Sequence, residues 1–350
     1  MPVPIRKALT FRASSIGDCL MGKYLLENVH RQFPDARLGI VVASRAGMIR
    51  DLFAAYPWLE VIEANRRHPG SLFSLWKRFR NSDLVVTQYA GKQGGSFSLA
   101  SKLAARVLAR HGGLVGFTDA SWWNRLLYDR LVPVRSDIAV AEHDRAALRA
   151  AGMPVALPFP TLAFLRDDAV LKKFGLEAGK FIVVHLFAGN ASRGLRPDKK
   201  RELLAALAGK LPGVRLVISG GAADWEEAAR ITEHVPATVI AGEATLQELM
   251  NLISESRGVV SVDTGVAHIA AQLRRPLVVM RTCVGRQWWF PGQYGEDAPI
   301  TVFSCDEKCA TGHVNGNYPA CLNAIDMEGV ARTVSIVPLP VAGYNHPTIG

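Results

Sequence analysis

The sequence predicts an α/β protein built from two doubly wound, Rossmann-like domains facing a central cleft. Three observations predict it. The chain has 350 residues, which is long for one hydrophobic core and suits two domains of about 150 residues each. Short apolar runs alternate with helical patterns, stop, and start again. A proline-rich stretch, MPVALPFP at 153–160, separates the two series, because each proline biases its predecessor away from helix.

In the first half, β-rich runs fall at 8–13, 38–43, 60–63 and 84–88. Helical patterns lie between and after them, at 18–31, 45–54, 70–80 and 95–110. Such alternation favours a parallel sheet with helices on both faces. The second half repeats it, with strands at 181–187, 215–219, 238–241, 259–262 and 277–280 and helices at 198–210, 224–234, 245–256 and 265–273. The expected domains are 1–160 and 161–325. Residues 326–350 supply a last helix at 326–336 and a Pro/Gly-rich tail. Ligands of open parallel sheets bind outside the carboxyl ends of the strands, so function is expected where those two edges meet.

Composition narrows the class. Hydrophobic residues make up 49% and charged residues 21%, which excludes wholesale disorder. Apolar runs such as FIVV at 181–184 fall far short of the ~18–20 residues of a membrane span. The opening MPVPIRKALTFRA has no apolar h-region and no small-residue cleavage site. Five cysteines, an odd count without an export signal, point to a reducing cytoplasm.

Charge is one-sided. The net charge is +10, and residues 1–165 hold 22 Lys and Arg against 12 Asp and Glu, while residues 166–350 hold 19 of each. The whole surplus lies in the first half. A one-sided basic field steers anionic partners such as nucleic acid, anionic lipid or a phosphorylated substrate, and a solvated basic face is the plainer alternative. Nucleic acid is not expected, since the basic residues are dispersed and no recognised module is present.

Three loops carry candidate chemistry. The first is Ser14-Ser15-Ile16-Gly17-Asp18, where a strand runs into a small polar turn and then a helix. Ser14 and Ser15 can cap that helix. Gly17 permits a tight turn and close ligand approach. Asp18 falls in the first helical turn, where it either complements the helix dipole or serves as a general base. The GxGxxG fingerprint of a dinucleotide site is absent. The second is SVDTGVAH at 261–268. An apolar strand ends in Asp263-Thr264-Gly265 and a helix begins at once. Backbone N–H groups there, with the Thr264 hydroxyl, form an anion site suited to a diphosphate. Asp263 can accept from sugar hydroxyls. His268 follows Thr264 by four residues, so both share a helix face; it is either structural or part of that site. The third is HLFAGNASRGLRP at 185–197, a polar loop with Arg193 and Arg196. Arg can clamp phosphate oxygens with paired hydrogen bonds, and a solvated loop is the alternative.

With these residues in view, the chain resembles glycosyltransferase family 9, the ADP-heptose:lipopolysaccharide heptosyltransferases and their relatives. SSIGD at 14–18, the loop before Arg193, and SVDTGVAHIAAQL at 261–273 carry the resemblance, which extends from about residue 6 to residue 335. Each motif alone is weakly specific; three in the right order are fairly specific. The resemblance implies a GT-B fold with an acceptor-binding first domain, a nucleotide-sugar-binding second domain, and a last helix crossing back to the first. It implies inverting transfer of a heptose onto an inner-core sugar of lipopolysaccharide. Asp18 then matches the catalytic base, with Ser14, Ser15 and Gly17 beside the acceptor. Thr264, Gly265 and His268 match the diphosphate-binding helix start, and Asp263 the carboxylate that holds the donor sugar. Asn190, Ser192 and Arg193 join the donor site, although many members carry Lys where Arg193 stands. An acidic residue after the second strand of this domain meets the ribose; Asp224, Glu226 and Glu227 all lie there, and Glu226 is taken. Related readings are a family member using another nucleotide sugar or acceptor, and a non-catalytic binder of anionic glycolipid.

No DxD motif stands in a suitable place, so no metal cofactor is expected and protein cations take its role. Cys305, Cys309 and Cys321 form C-x3-C-x11-C with His313 nearby, where many relatives are Cys-rich. Free thiols are the preferred reading, and a structural metal is the alternative. Arg66, Arg67, His68, Lys77, Arg78 and Arg80 interleave with Phe73, Trp76 and Phe79. This reads either as a patch at the inner face of the cytoplasmic membrane or as an amphipathic helix packed on the sheet.

Overall fold

A computed structural model describes residues 4–65, 69–89, 98–119, 121–283, 285–304 and 318–336. The chain divides into two compact units. The first comprises Met1–Pro160 with Gln287–Glu296, and the second Thr161–Arg286 with Asp297–Gly350.

The first unit runs β1 (Lys7–Phe11), α1 (Ile16–Gln32), β2 (Arg37–Val42), α2 (Ala46–Leu52), β3 (Leu59–Glu63), α3 (Pro69–Phe79), β4 (Leu84–Thr87), α4 (Leu99–Leu108), β5 (Leu114–Phe117), α5 (Asn124–Leu127), β6 (Arg130–Val132) and α6 (Val140–Ala150). Its six strands are all parallel, in the order β3-β2-β1-β4-β5-β6. The order reverses direction between β1 and β4, which puts the switch point of the sheet beside the ends of those two strands. Leu75 and Phe79 of α3 share one core with Ala105 and Leu108 of α4, so these two helices cover the same face of the sheet.

The second unit runs α7 (Ala169–Lys173), β7 (Phe181–His185), α8 (Pro197–Lys210), β8 (Arg215–Ile218), α9 (Trp225–Thr232), β9 (Ala237–Val239), α10 (Leu246–Glu255), β10 (Val259–Val262), α11 (Gly265–Gln272), β11 (Leu277–Arg281), β12 (Ile300–Ser304), α12 (Ala320–Asn323) and α13 (Met327–Ile336). Its order is β12-β11-β10-β7-β8-β9, again all parallel, with the switch between β7 and β10. Every residue of β10 is buried, as expected of a central strand covered on both faces. The last helix, α13, packs on α8 within this unit, with Met327, Val330 and Ala331 in the core beside Leu203, Leu204 and Leu207. Gln287–Glu296 is the late segment grouped with the first unit; there Gln293 Oε1 accepts from the Ala141 N–H at 2.9 Å.

Local signals explain the helix starts. Ser15 caps α1, and Thr245 with Glu248 forms a full capping box on α10, satisfying free N–H groups. All nine expected strands are present. The sequence reading lacks β5, β6 and β12, and also α5, α6, α7 and α12. The first two are short and follow glycine or aspartate turns, and the proline at 133 thins the pattern ahead of α6. The basic-aromatic stretch splits: Phe79 is wholly buried in the core, Arg78 pairs with Glu60, and Arg66, Arg67 and His68 lie outside the described residues. Phe79 therefore belongs to the packed side of an amphipathic helix and not to a surface patch.

Candidate active site

The first cluster stands at the switch point of the first unit. β1 ends at Phe11 and α1 begins at Ile16, so Asp18 sits in the first turn of α1. Ser15 Oγ accepts from the Asp18 N–H at 3.2 Å and donates to Asp18 Oδ2 at 2.6 Å. Gln88, just past β4, donates from Nε2 to Asp18 Oδ1. The Ala13 N–H donates to Gln88 Oε1 at 2.6 Å. That bond fixes which end of the amide faces the carboxylate, since an amide has one accepting and one donating end. The carboxylate is thus held by donors to both oxygens, as well as by the positive end of a helix. The expected roles of its neighbours shift slightly. Ser15 alone caps α1, while Ser14 Oγ accepts from the Ser44 N–H at 3.0 Å. Gly17 lies inside the helix without a positive φ, so it makes no tight turn.

Beneath this turn lies a buried polar layer. Arg12 pairs with Asp144 at 2.6 Å, both side chains essentially sealed from water. Burial pushes the Asp144 carboxyl up, and the Arg12 guanidinium opposes that rise. Arg12 also donates to Thr10 Oγ1 at 2.9 Å. The Tyr89 ring stacks on His143 with centroids 4.5 Å apart. His143 Nε2 accepts from the Arg135 N–H at 3.2 Å, which leaves Nδ1–H for the Ala139 carbonyl at 3.2 Å. Burial lowers its pKa, keeping the imidazole neutral. Cys19 follows Asp18, and burial first, then the Asp18 charge, pushes its thiol up to about 12. It is therefore unreactive near neutrality.

The second cluster stands at the switch point of the second unit, after β7 and β10. Thr264 occupies the cap position of α11 with extended backbone, and its side chain makes no cap hydrogen bond. Its Oγ1 instead lies 3.3 Å from Ser261 Oγ. Asp263 and His268 approach to 3.7 Å. Burial, then the nearby Arg193 charge, lowers His268 to about 3. That places a neutral imidazole beside Asp263, so the pair is polar packing and not a salt bridge. The Arg193 charge is thus felt at His268 on α11. Asn190 accepts from the Arg193 N–H at 3.0 Å through its carbonyl, within a short 3-10 turn over Ala191–Arg193. The side chain of Ser192 lies outside the described residues.

The three candidate acids differ in their partners. Asp224 Oδ2 accepts from the Gly221 N–H at 2.7 Å. Glu227 pairs with the nearly buried Lys200 at 2.8 Å. Glu226 is exposed in the first turn of α9. His185 Nδ1 lies 3.0 Å from Ser219 Oγ, and burial lowers its pKa to about 4. Cys321 is buried on α12, whereas Cys305, Cys309 and His313 lie outside the described residues. Among the described residues no group of His, Cys, Asp and Glu is arranged to hold a metal ion.

Sequence reasoning missed Gln88, Asp144, Tyr89 and Lys200. Gln88 lies 70 residues from its partner, and no local motif signals such a contact. Position after a β-strand adjacent to the switch is the one clue that was available.

Comparisons with known proteins bear on the fold and the family. Residues 109–281 match the model of glycosyltransferase family 9 (heptosyltransferase). Lipooligosaccharide heptosyltransferase 2 of Haemophilus influenzae is 24% identical over 293 residues, 76% of this chain and 80% of that protein. The structure of E. coli ADP-heptose LPS heptosyltransferase II superposes with a TM-score of 0.70 at 19% identity, covering 94% of this chain and 98% of the other. E. coli heptosyltransferase WaaC, solved with ADP, gives a TM-score of 0.67 at 20% identity, covering 94% and 98%. Two parallel six-stranded sheets with flanking helices are the α/β architecture of these GT-B structures.

Proposed function

The chain belongs to glycosyltransferase family 9, and from that premise we propose that it moves a heptose from ADP-heptose onto an inner-core sugar of a lipopolysaccharide precursor, with inversion. The family is one of transferases, so reading the chain as a non-catalytic glycolipid binder gives way to an enzyme. The observation that carries the mechanism is Asp18, a carboxylate held by donors at the switch point of the first sheet.

In this reading Asp18 takes the proton of the acceptor hydroxyl as that oxygen bonds to the anomeric carbon. The bond from that carbon to the diphosphate oxygen breaks, and ADP leaves with the electron pair. One displacement inverts the centre, as a single base carboxylate does in inverting hydrolases. Charge develops on the diphosphate. The free N–H groups at the start of α11, the Thr264 hydroxyl and Arg193 stabilise it where it appears. Gly265 is the first residue of that helix, and Asp263 and Glu226 accept from sugar and ribose hydroxyls. Neutral His268 serves as a hydrogen-bonding group rather than a charge. Protein cations and dipoles stand in for a metal, on the sequence ground that no DxD motif is present. The anionic acceptor suits the basic first half of the chain, and the reaction is placed at the cytoplasmic face of the membrane.

A panel of nucleotide sugars tests the donor. A ligand that binds only the native state raises the melting temperature by mass action. ADP-heptose at about 100-fold above its Kd is expected to stabilise the protein by about 2.7 kcal/mol. Strong stabilisation by a different donor, with none from ADP-heptose, overturns the heptose and leaves the transferase.

A further inference from the structure

Ten large hydrophobic side chains stand exposed among the described residues, and eight of them belong to α3, α4 and the α5 turn. On α4, Leu99, Leu103 and Val107 recur every four residues, which sets them in one line along the helix. Val107 is 67% exposed. On α3 the outward residues are Leu72, Phe73 and Trp76. The α5 turn adds Trp122 and Leu126, at 79% and 83% exposure. These three elements lie together. α3 and α4 share a core on one face of the sheet. α4 is tied to α5 by the buried Lys102, whose Nζ reaches Asp119 at 2.5 Å and Asn124 at 2.9 Å. A cavity of about 620 Å³ opens next to them, lined in part by Trp122, Arg125, Leu126 and Leu131. Soluble monomers rarely leave so much apolar surface together without a partner.

Charge decides what the partner is. Residues 64–127, which span the three helices, hold ten Lys and Arg against two acids, Asp83 and Asp119, the latter paired with the buried Lys102. α3, α4 and α5 contain no acidic residue. Asp83 is already paired with Arg110. Arg80 lies over the Trp76 ring at 5.0 Å, and Lys77 and Arg125 are exposed beside Trp76 and Leu126. A second copy meeting this face through a two-fold axis would bring like charges together. A surface of anionic headgroups over hydrocarbon matches both the cations and the apolar line, because Lys and Arg keep their heads at the headgroups while apolar side chains enter below.

We propose that the α3–α4–α5 face of the first unit seats the protein on an anionic lipid bilayer. The proposal deepens the reading of a membrane-borne acceptor and rests on it for its purpose, but its test needs no acceptor and no sugar transfer. The wild-type chain is mixed with vesicles of phosphatidylglycerol and phosphatidylethanolamine in equal parts, and with vesicles of phosphatidylcholine alone, and sedimented. Binding is expected to the anionic vesicles, weakened by salt. The double substitution Leu103→Glu with Val107→Glu is expected to weaken it about tenfold or more, since both side chains lose their apolar burial and add like charge to the lipid. Both positions are exposed, so the fold is expected to survive; an unchanged melting temperature, and an unchanged shift with the nucleotide sugar selected by the panel, check this. Equal binding by the double variant, or no binding by the wild type to anionic vesicles, overturns the proposal. So does a wild-type dimer in sedimentation velocity that the double variant converts to monomer, which would assign the face to a second copy. Failure of sugar transfer with intact vesicle binding would instead strike the proposed function and leave the surface standing.

Discussion

Gln88 shows how much a single side chain can be asked to do at this site. Its Oε1 is committed to the Ala13 N–H, so its Nε2 must present a donor to Asp18. In the proposed mechanism Gln88 is thus a positioning residue that acts through Asp18. Replacing it with Leu removes one donor from the carboxylate while leaving the Ser15 contact in place. Two effects follow. Asp18 loses its fixed rotamer, so kcat falls, by about 10- to 100-fold for a misplaced base. The carboxylate also loses a hydrogen bond to its charged form, which disfavours that form. Sign matters here: a base that is harder to deprotonate needs higher pH, so the acid limb of the pH–rate profile moves up, by about one pH unit if the lost bond is worth about 1.5 kcal/mol. Donor KM is expected to stay near the wild-type value, because the groups proposed to hold the donor belong to the other unit. A fall in kcat without movement of the acid limb would reduce Gln88 to packing.

Helix α1 depends on a close approach that sequence alone does not announce. A Cβ at Gly22 would stand 2.9 Å from Arg12 Cγ and 3.2 Å from the Thr10 methyl. Arg12 cannot swing away cheaply, because its guanidinium is buried against Asp144. Gly22→Ala is therefore expected to destabilise the protein by about 1–3 kcal/mol, the usual range for overpacking, read as a lower urea midpoint; an unchanged midpoint would contradict the tight packing described. The same helix shows what was legible beforehand and what was not. Its start was readable, because Ser15 and Asp18 are local cap signals. The buried strands were readable too: VVSV at 259–262 can hardly be anything but an interior strand. β5 and β6 escaped notice because four and three residues carry little periodicity. Arg12–Asp144 and Asp18–Gln88 escaped because they join residues 132 and 70 positions apart, and their pairing is a product of the sheet order. Thr264 and His268 were legible as neighbours by helical spacing. That His268 is neutral was not, since its state is set by burial and by Arg193 arriving from a separate loop.

Across the whole molecule one plan appears twice. Each unit is a parallel six-stranded sheet whose order reverses at its first strand. Each carries its candidate chemistry at that reversal, the place where open parallel sheets bind ligands. The contents differ in charge. The first site holds a carboxylate supported by donors, and the second a helix start, a guanidinium and a neutral imidazole. In the proposed mechanism a base in one unit and an anion site in the other divide the labour of transfer from a nucleotide diphosphate. That division also means the two functions can be separated by mutation. The most direct test is Asp18→Asn, which removes the base and preserves size and most hydrogen bonds. Titration of the purified variant with the stabilising nucleotide sugar, alongside a single-turnover assay of transfer, is the measurement. The account predicts wild-type donor affinity with transfer slowed about 10²- to 10⁴-fold, the usual worth of a general base. Transfer at the wild-type rate by Asp18→Asn would contradict it.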